Sequence, residues 1–239
     1  MALWLAHGPD AGGVRLCLLD GQILQEQSLF SDPSAALNAD SAQGRATVPI
    51  NGTTPQAVPV RVLPEAADAV PTVTQETPPD ALSGWARLRI AGVLAIRPNW
   101  DGVVVDVTDQ TTHWIHVSAD EIVSFQGFAT GRLIVAMGGA ADASADAADQ
   151  TLSRPEKLAA HLHSASLGGD ARALTGHLIG AEIAAAKPYW LGQQVIVLSD
   201  SRNLAQILQS QGAVAETASP QDMLARGLAA LADAAGYSY

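Results

Sequence analysis

The C-terminal third of the chain alternates between helical and strand patterns, and this alternation constrains the fold more than any other feature. The helical stretch "LTGHLIGAEIAAA" (174–186) is followed by the apolar run "VIVL" (195–198), a second helical stretch (202–210) and the short run "AVAETA". Ser219 and Pro220 are a favoured N-cap and first helical residue for a last helix. Because parallel strands are joined through helices, the pattern predicts that 195–198 lies in the second lobe's sheet, flanked by the helices at 174–186 and 202–210.

Two runs of strands precede this alternation. The first contains paired strands at 2–6 and 14–19, with a Gly-rich loop between them and an Asp20-Gly21 hairpin turn after them. The second contains the β-branched runs "GVVVDVTD" and "THWIHVSAD", separated by a polar turn. Since each run opens one lobe, the sequence predicts an α/β protein with a two-lobed actin-like ATPase fold. The predicted lobes are residues 1–97 and 98–239.

The remaining segments predict one clear helix, one helix start and two irregular stretches. "DALSGWARLRIAGVLAIRP" predicts a helix that starts near Asp80 or Ser83 and stops before Pro98. Residues 64–84 contain four prolines and predict an irregular connection. "TGRLIVAM" (130–137) predicts a helix N-terminus, and the low-complexity stretch "GGAADASADAADQ" (138–150) predicts a mobile loop.

The composition narrows the classes of partner. The 239 residues carry a net charge of -11 and a sequence pI of about 4.7, and an acidic surface repels nucleic acid and anionic membranes. No stretch stays apolar for the roughly 18–20 residues of a membrane span. Cys17 is the only cysteine, which excludes an internal disulfide and favours a reducing compartment, the cytoplasm. The oligomeric state is not predicted.

Three segments resemble one enzyme family. Residues 174–186 are similar to L-S-G-L-L-I-G-A-E-V, "SFQGFATGRL" (124–133) is similar to F-R-T-V-M-T-G-E-L, and residues 74–95 are similar to a stretch with P-P-D-V-M-R-G-E-E-T-Q-I-A-G. By these motifs the chain resembles the 2-dehydro-3-deoxygalactonokinases, sugar-acid kinases of the actin-like ATPase fold, over most of its length. The resemblance implies a two-lobed actin-like ATPase (sugar kinase) fold with a reduced first lobe. The resemblance implies ATP-dependent phosphorylation of 2-dehydro-3-deoxy-galactonate, with ATP and Mg²⁺ as cofactors and a sugar acid and a nucleotide as small-molecule partners.

The polar motifs of that family are altered in this chain. Where the family has Asp-Trp-Gly-Thr-Ser-Ser, residues 8–13 read Gly-Pro-Asp-Ala-Gly-Gly, and of the Pro, Gly, Lys and Trp in the family's P-G-T-H-S-K-W only Trp114 remains. Arg132 replaces the Glu of T-G-E-L, and both carboxylates of G-E-E-T are missing around residues 84–89. Phosphoryl transfer depends on groups that position phosphates and neutralise their charge. The losses therefore predict a weak or inactive kinase.

Candidate site residues lie in the two loops and at the predicted helix start. Asp10 and Asp109 are the candidate catalytic carboxylates. The candidates for binding the nucleotide or its phosphates are Gly12, Gly13, Arg15, Thr111, Thr112 and Gly131. Simpler interpretations stay open, namely a tight hairpin at 12–13, an ion pair of Arg15 with a carboxylate, and an exposed polar turn at 109–112. No metal site is assigned.

Other conspicuous residues have structural interpretations. Gly176 and Gly180, one helical turn apart, predict close helix packing, Glu182 predicts a cap or a salt bridge, and Cys17 predicts a small core residue. Two functions remain open: a kinase by descent, or a non-catalytic binding or regulatory protein that keeps the sugar-kinase fold. A kinase must bind Mg-ATP whereas a scaffold need not, so nucleotide binding partly separates the two.

Overall fold

The chain forms two compact units. The computed structural model describes residues 3–38 and 44–237. The first unit contains the residues up to Trp100, the segment Ser118–Ser124 and the residues from Pro220 onward, and the second contains Asp101–Val117 and Phe125–Ser219. The C-terminal helix therefore packs with the N-terminal residues rather than with the residues that precede it.

A four-stranded sheet forms part of the first unit. Its strands, in the order β3-β2-β1-β4, are β1 (Leu3–Asp10), β2 (Gly13–Asp20), β3 (Ile23–Phe30) and β4 (Ala46–Pro49). The first three are antiparallel and joined by tight turns, as the Asp20-Gly21 pair predicts, whereas β4 runs parallel to β1. A short helix, α1 (Pro33–Asn38), follows β3. Cys17 is fully buried in the core, which confirms its predicted role.

Short strands and two long helices complete the first unit. The strands are β5 (Gln56–Ala57), β6 (Val60–Arg61), β7 (Val73–Glu76) and β8 (Pro79–Leu82). Helix α2 (Gly84–Ile96) begins after Ser83, whose Oγ accepts a hydrogen bond from the amide of Ala86 at 3.1 Å, so the predicted helix is confirmed. The C-terminal helix α9 (Pro220–Ala234) packs closely on α2. A Cβ on Gly92 would lie 1.9 Å from the carbonyl oxygen of Met223, so only glycine permits this approach.

The second unit is built on a mixed sheet. Its strands, in the order β13-β12-β9-β10-β11, are β9 (Gly102–Val107), β10 (Thr112–Ser118), the end of β11 (Glu121–Phe128), β12 (Gln194–Leu198) and β13 (Val214–Ala218). β12 is parallel to both β9 and β13. Val195 and Val197 pack in one core with Ile183 and Leu208, which lie on the helices before and after the strand. The predicted position of 195–198 is confirmed.

Six helices accompany this sheet. They are α3 (Thr130–Met137), α4 (Ala145–Ser153), α5 (Leu158–Leu167), α6 (Ala171–Ala185), α7 (Lys187–Trp190) and α8 (Asn203–Ser210). The helix start predicted at Thr130 is confirmed. Within residues 3–38 and 44–237, no helix is both long and apolar enough to cross a membrane.

The prediction of a mobile loop at 138–150 is wrong for its second half. Helix α4 begins after Ser144, whose Oγ accepts a hydrogen bond from the amide of Ala147, and it buries Ala147 and Ala148. Its partner is α6: a Cβ on Gly176 would lie 2.3 Å from the carbonyl oxygen of Ser144, and one on Gly180 would lie 2.2 Å from that of Ala148. The prediction that Gly176 and Gly180 mediate helix packing is confirmed, and the helix that packs against them is α4.

Candidate functional site

The first candidate loop is a two-residue turn. β1 and β2 stay paired up to Asp10 and Gly13, so only Ala11 and Gly12 remain outside the ladder. Gly12 has a φ of +85°, which glycine adopts without strain. Gly8 lies inside β1, where a Cβ would stand 1.7 Å from the carbonyl oxygen of Ile50. The Gly-rich loop at 8–13 is therefore a tight hairpin, and Gly8 permits close packing of β1 on Ile50.

Asp10 and Arg15 face each other across this hairpin. Arg15 donates from Nε and Nη2 to Oδ2 of Asp10, both at 2.5 Å. The guanidinium also lies 5.6 Å from the ring centroid of Trp85, a cation–π distance. Because each side chain of the pair is only about one-fifth exposed, the two charges largely neutralise each other. The structure therefore agrees with the simpler interpretation of Arg15, an ion pair with a carboxylate.

Asn51 joins the hairpin to the start of α2. Its Nδ2 donates to the carbonyl oxygen of Pro9 at 2.9 Å, and the same carbonyl accepts from Nε1 of Trp85 at 2.9 Å. Its Oδ1 accepts from the amide of Gly84 and from the hydroxyl of Thr72. Asn51 has a φ of 66°, a region that Asn tolerates better than most residues. Asn51 was not predicted from the sequence, where the Asn-Gly pair at 51–52 is the one local signal.

The second candidate loop is organised by a threonine. The hydroxyl of Thr108 donates to the carbonyl oxygen of Thr111 at 2.8 Å and accepts from the amides of Gln110 and Thr111 at 3.2 and 3.0 Å. One hydroxyl proton and two lone pairs account for all three bonds. Two amides of the turn are thus directed to Thr108, while the carboxylate of Asp109 is exposed at the tip.

Helix α3 starts directly against this turn. A Cβ on Gly131 would lie 2.6 Å from the carbonyl carbon and oxygen of Asp109 and 2.6 Å from the carbonyl oxygen of Thr108. The amide of Arg132 donates to the carbonyl oxygen of Gln110 at 3.3 Å, and the Arg132 side chain is exposed. Gly131 therefore permits backbone contact between the helix and the turn. Arg132 adds a positive charge to the first turn of the helix.

A buried carboxyl group lies behind the turn. Oε1 of Glu182, on α6, accepts a hydrogen bond from Nε1 of Trp114 on β10 at 2.9 Å. Burial raises the pKa of Glu182 to about 7, against hydrogen bonds from Thr130, Trp114 and Thr112 that lower it. Glu182 therefore links α6, β10 and the start of α3. The predicted cap or salt bridge is wrong, because burial directs this carboxyl to an indole and two hydroxyls.

The predicted site residues form two groups, one in each unit. Asp10, Gly12, Gly13 and Arg15 are together at the first hairpin, and Asp109, Thr111 and Gly131 are together at the second. Thr112 belongs to the second hairpin but is buried, and its hydroxyl donates to Glu182. Thr112 is therefore a buried partner of Glu182 and not a surface contact of the turn.

Metal ligands do not cluster at either hairpin in the part of the chain that the structure describes. Across the described residues, no group of three or more His, Cys, Asp and Glu side chains could hold a metal ion. Mg²⁺ is often held by one or two carboxylates together with nucleotide phosphates. Asp109 could supply one carboxylate of that kind, whereas Asp10 is engaged by Arg15. The residues present fit Mg²⁺ only as an ion that arrives with phosphate ligands of its own.

Solved structures define the class of the fold. A crystal structure from Sinorhizobium meliloti, whose assignment as a 2-dehydro-3-deoxygalactonokinase is provisional, matches with a TM-score of 0.79 at 20% identity over 98% of this chain and 99% of that chain. (R)-2-hydroxyglutaryl-CoA dehydratase component A from Acidaminococcus fermentans matches with a TM-score of 0.54 at 14% identity over 100% and 99%. The activator of 2-hydroxyisocaproyl-CoA dehydratase from Clostridium difficile, with bound ADPNP, matches with a TM-score of 0.51 at 15% identity over 98% and 95%. The chain has the actin-like ATPase fold, as predicted.

The family follows from a match in sequence. The model of the 2-keto-3-deoxy-galactonokinase family matches residues 36–231, which include parts of both units. The chain belongs to this family, and the predicted resemblance is confirmed. No curated protein matches it.

Proposed function

We propose that the protein phosphorylates 2-dehydro-3-deoxy-galactonate with ATP, at a rate well below that of a kinase with complete motifs. The observation that carries the proposal is the family match over residues 36–231. The ADPNP-bound structure with the same fold supports ATP as the nucleotide. A kinase that draws on ATP and has one cysteine fits the cytoplasm, which we propose as its location. The division into lobes 1–97 and 98–239 stays a prediction.

The second hairpin supplies the proposed nucleotide contacts of its unit. Asp109 and Thr111 offer a carboxylate and a hydroxyl on a turn that Thr108 holds in shape. Gly131 keeps the start of α3 against that turn, and helix N-termini favour phosphate, but the amide of Arg132 already donates to the carbonyl oxygen of Gln110. Asp109 is the more available of the two candidate carboxylates because it is exposed and Asp10 is paired.

The first hairpin supports a second, weaker set of contacts. Gly12 and Gly13 carry no side chains, so the methyl group of Ala11 is the one side chain on the turn, and Arg15 offers a guanidinium that already binds a carboxylate. A phosphate would have to compete with Asp10 for Arg15. This competition, and the positive charge of Arg132 at the other hairpin, are the physical reasons for a low rate.

A coupled assay for ADP release tests the proposal. The assay uses Mg-ATP with a panel of 2-keto-3-deoxy sugar acids, wild-type protein, Asp109→Asn, and Asp142→Asn as a control that changes an exposed aspartate of the same unit. We expect ADP release that depends on the acid, that falls at least tenfold in Asp109→Asn and that is unchanged in Asp142→Asn. ADP release that no acid increases above the background contradicts the proposal.

A further inference from the structure

A small cavity of about 220 Å³ lies within the first unit, and none of its lining residues belongs to the candidate hairpins at 8–13 and 108–112. Its walls come from β6 and the residues after it, the C-terminal half of α2, the helix α9 and the turn between β10 and β11. Sites for drug-sized ligands enclose about 300–1,000 Å³. The cavity therefore suits a ligand smaller than these.

The body of the cavity is apolar. Two of its walls are helices in close contact, since a Cβ on Gly227 of α9 would lie 1.8 Å from the carbonyl oxygen of Leu88 on α2. Ala230 and Ala91 each follow this contact by three residues, and because alanine reaches no further than its Cβ, they leave a hollow. Such a hollow favours a hydrocarbon group of a ligand. The apolar lining residues are Val62, Leu63, Ala91, Leu94, Ala95 and Ala230.

Two opposite charges stand at the rim of this hollow. Arg61 and Asp120 both line the cavity, and both residues are exposed. The guanidinium of Arg61 lies 4.0 Å from the carboxylate of Glu65, which is also exposed, and an exposed ion pair of this kind contributes little stability. A ligand can therefore replace Glu65 as the partner of Arg61 at small cost. One cation and one anion beside an apolar hollow complement a ligand that carries both charges next to a hydrocarbon group.

The backbone beneath the two rim charges is held in place. The carbonyl oxygens of Arg61 and Val62 each accept a hydrogen bond of 2.6 Å from the buried guanidinium of Arg87. The amide of Val62 donates to the carbonyl oxygen of Asp120 at 2.9 Å. Asp120 has a φ of 60°, a region that Asp tolerates better than most residues. These contacts use main-chain atoms of residues 61, 62 and 120, so the side chains of Arg61 and Asp120 are not needed to hold the rim.

We propose that this cavity binds a free α-amino acid with a bulky aliphatic side chain, such as leucine. The carboxylate of the amino acid contacts Arg61, its ammonium group contacts Asp120, and its side chain fills the hollow between α2 and α9. Sugar acids and nucleotides lack the aliphatic group and the ammonium group, so they do not compete for this site. The proposal does not depend on the proposed kinase function.

Titration calorimetry on the full chain without nucleotide tests which groups of the ligand are recognised. The probe is L-leucine, and each comparison ligand lacks one of its groups: 4-methylpentanoate has no ammonium group, 3-methylbutylamine has no carboxylate, and glycine has no side chain. We expect leucine to bind and each comparison ligand to bind at least tenfold more weakly. No binding of leucine, or equal binding of any comparison ligand, overturns the proposal.

Three variants test whether leucine binds in this cavity. Arg61→Gln and Asp120→Asn each remove one rim charge, and Asn, like Asp, tolerates a positive φ. Ala95→Trp places a large side chain at an exposed lining residue. The controls are Arg226→Gln and Asp68→Asn, equal charge changes on exposed residues of the same unit outside the cavity. Circular dichroism verifies that each variant folds.

We expect leucine to bind the wild type and both controls equally, and to bind the three cavity variants at least tenfold more weakly. If a charge variant fails to fold, Ala95→Trp and the remaining charge variant decide. Undiminished binding to Ala95→Trp would show that leucine binds elsewhere. Undiminished binding to a folded charge variant would show that the rim charge is not recognised, and either result overturns the proposal.

Discussion

Nε1 of Trp114 donates a hydrogen bond of 2.9 Å to Oε1 of Glu182, so a strand and a helix of the second unit are joined by a group that titrates. Of the Pro, Gly, Lys and Trp in the family's P-G-T-H-S-K-W, this chain keeps only Trp114. Its retention has a structural reason, because the indole satisfies a buried carboxyl group. Thr112, which follows the turn at 108–111, and Thr130, at the start of α3, both form hydrogen bonds with the same carboxyl group, that of Glu182.

Glu182 gives the protein a stability that decreases as pH rises. Its pKa is 4.5 when solvated and about 7 in the folded protein, because burial disfavours the charged form. Between these values the folded state binds the proton that the unfolded state has released. The stabilisation is therefore complete below pH 4.5 and is lost as pH rises through 7. The difference corresponds to about 3 kcal/mol.

Glu182→Gln tests this dependence, because glutamine keeps the shape and cannot ionise. We expect the variant to become more stable relative to the wild type as the pH is raised from 5 to 8. Urea unfolding across this range measures it. Glu156→Gln, which changes an exposed carboxyl of the same unit, should show no such trend. Parallel curves for Glu182→Gln and wild type would contradict the assignment.

His177 has the opposite dependence on pH. It lies on α6, its ring stacks on His161 with centroids 4.8 Å apart, and both Nδ1 atoms contact the hydroxyl of Thr151, at 2.7 Å for His161 and 2.9 Å for His177. Burial, and then the nearby His161, lower the pKa of His177 below 6.5. As pH falls below 6.5, the unfolded state takes up a proton that the folded state resists, and stability decreases.

His177→Gln should therefore lose less stability than the wild type when the pH is lowered from 7 to 5. Thermal unfolding of both proteins at each pH measures the effect, and His163→Gln, an exposed histidine on α5, is the control. A wild type and a variant that lose equal stability over this range would refute the buried neutral histidine.

Elements that local patterns define were predictable from the sequence. Helix α2 has an N-cap serine and a following proline, and β12 is an apolar run between two helical patterns. Helix α4 was missed because its buried residues are Ala147, Ala148 and Thr151, which form no apolar stripe. Their burial depends on the glycines of α6, so the signal for α4 was on another helix.

The candidate site was less predictable because its key contacts join distant residues. Asn51 contacts Pro9 and Gly84, Glu182 contacts Trp114, and Arg87 contacts Val62 and Pro71. A polar residue in a sequence does not reveal whether it is buried or which partner it meets. The candidate residues themselves were identified from family motifs, and the structure then assigned several of them to packing.

Gly131→Ala tests the contact between α3 and the turn. An added Cβ would lie 2.6 Å from backbone atoms of Asp109 and Thr108, which cannot move as a side chain can. We expect a loss of about 1–3 kcal/mol in urea unfolding. Gly168→Ala is a suitable control because its nearest neighbour would be at an ordinary 3.5 Å. Equal stability of the two variants would show that the turn shifts away from the added Cβ with no measurable loss of stability.

Ala148→Glu tests whether α4 is part of the core. Ala148 is fully buried against Gly180, so a carboxylate there would lose its water without gaining a partner. We expect a loss of about 3 kcal/mol or more in thermal unfolding. Ala145→Glu places the same side chain on an exposed residue at the start of the same helix and should be nearly neutral. A nearly neutral effect of Ala148→Glu on stability would instead support the prediction that this segment is a mobile loop.

Arg132→Glu tests the charge that distinguishes the second hairpin from the family's T-G-E-L motif. Arg132 is exposed on the first turn of α3, and its amide contacts Gln110 of the turn. A cation at this place repels Mg²⁺ and attracts a bare anion. We expect Arg132→Glu to make ATP binding more dependent on Mg²⁺, whereas Arg154→Glu, an equal charge change on an exposed arginine of the same unit, should not. An unaltered dependence would show that Arg132 does not face the metal.

The proposed low rate depends on weak binding of the metal–nucleotide complex by the wild type. Titration calorimetry with ATP, in the presence and absence of Mg²⁺, measures this directly. We predict that ATP binds and that Mg²⁺ strengthens its binding by less than tenfold, which is about 1.4 kcal/mol. Strengthening by tenfold or more would show an intact metal site and would contradict the low rate, and the absence of ATP binding in both conditions would contradict the kinase function itself.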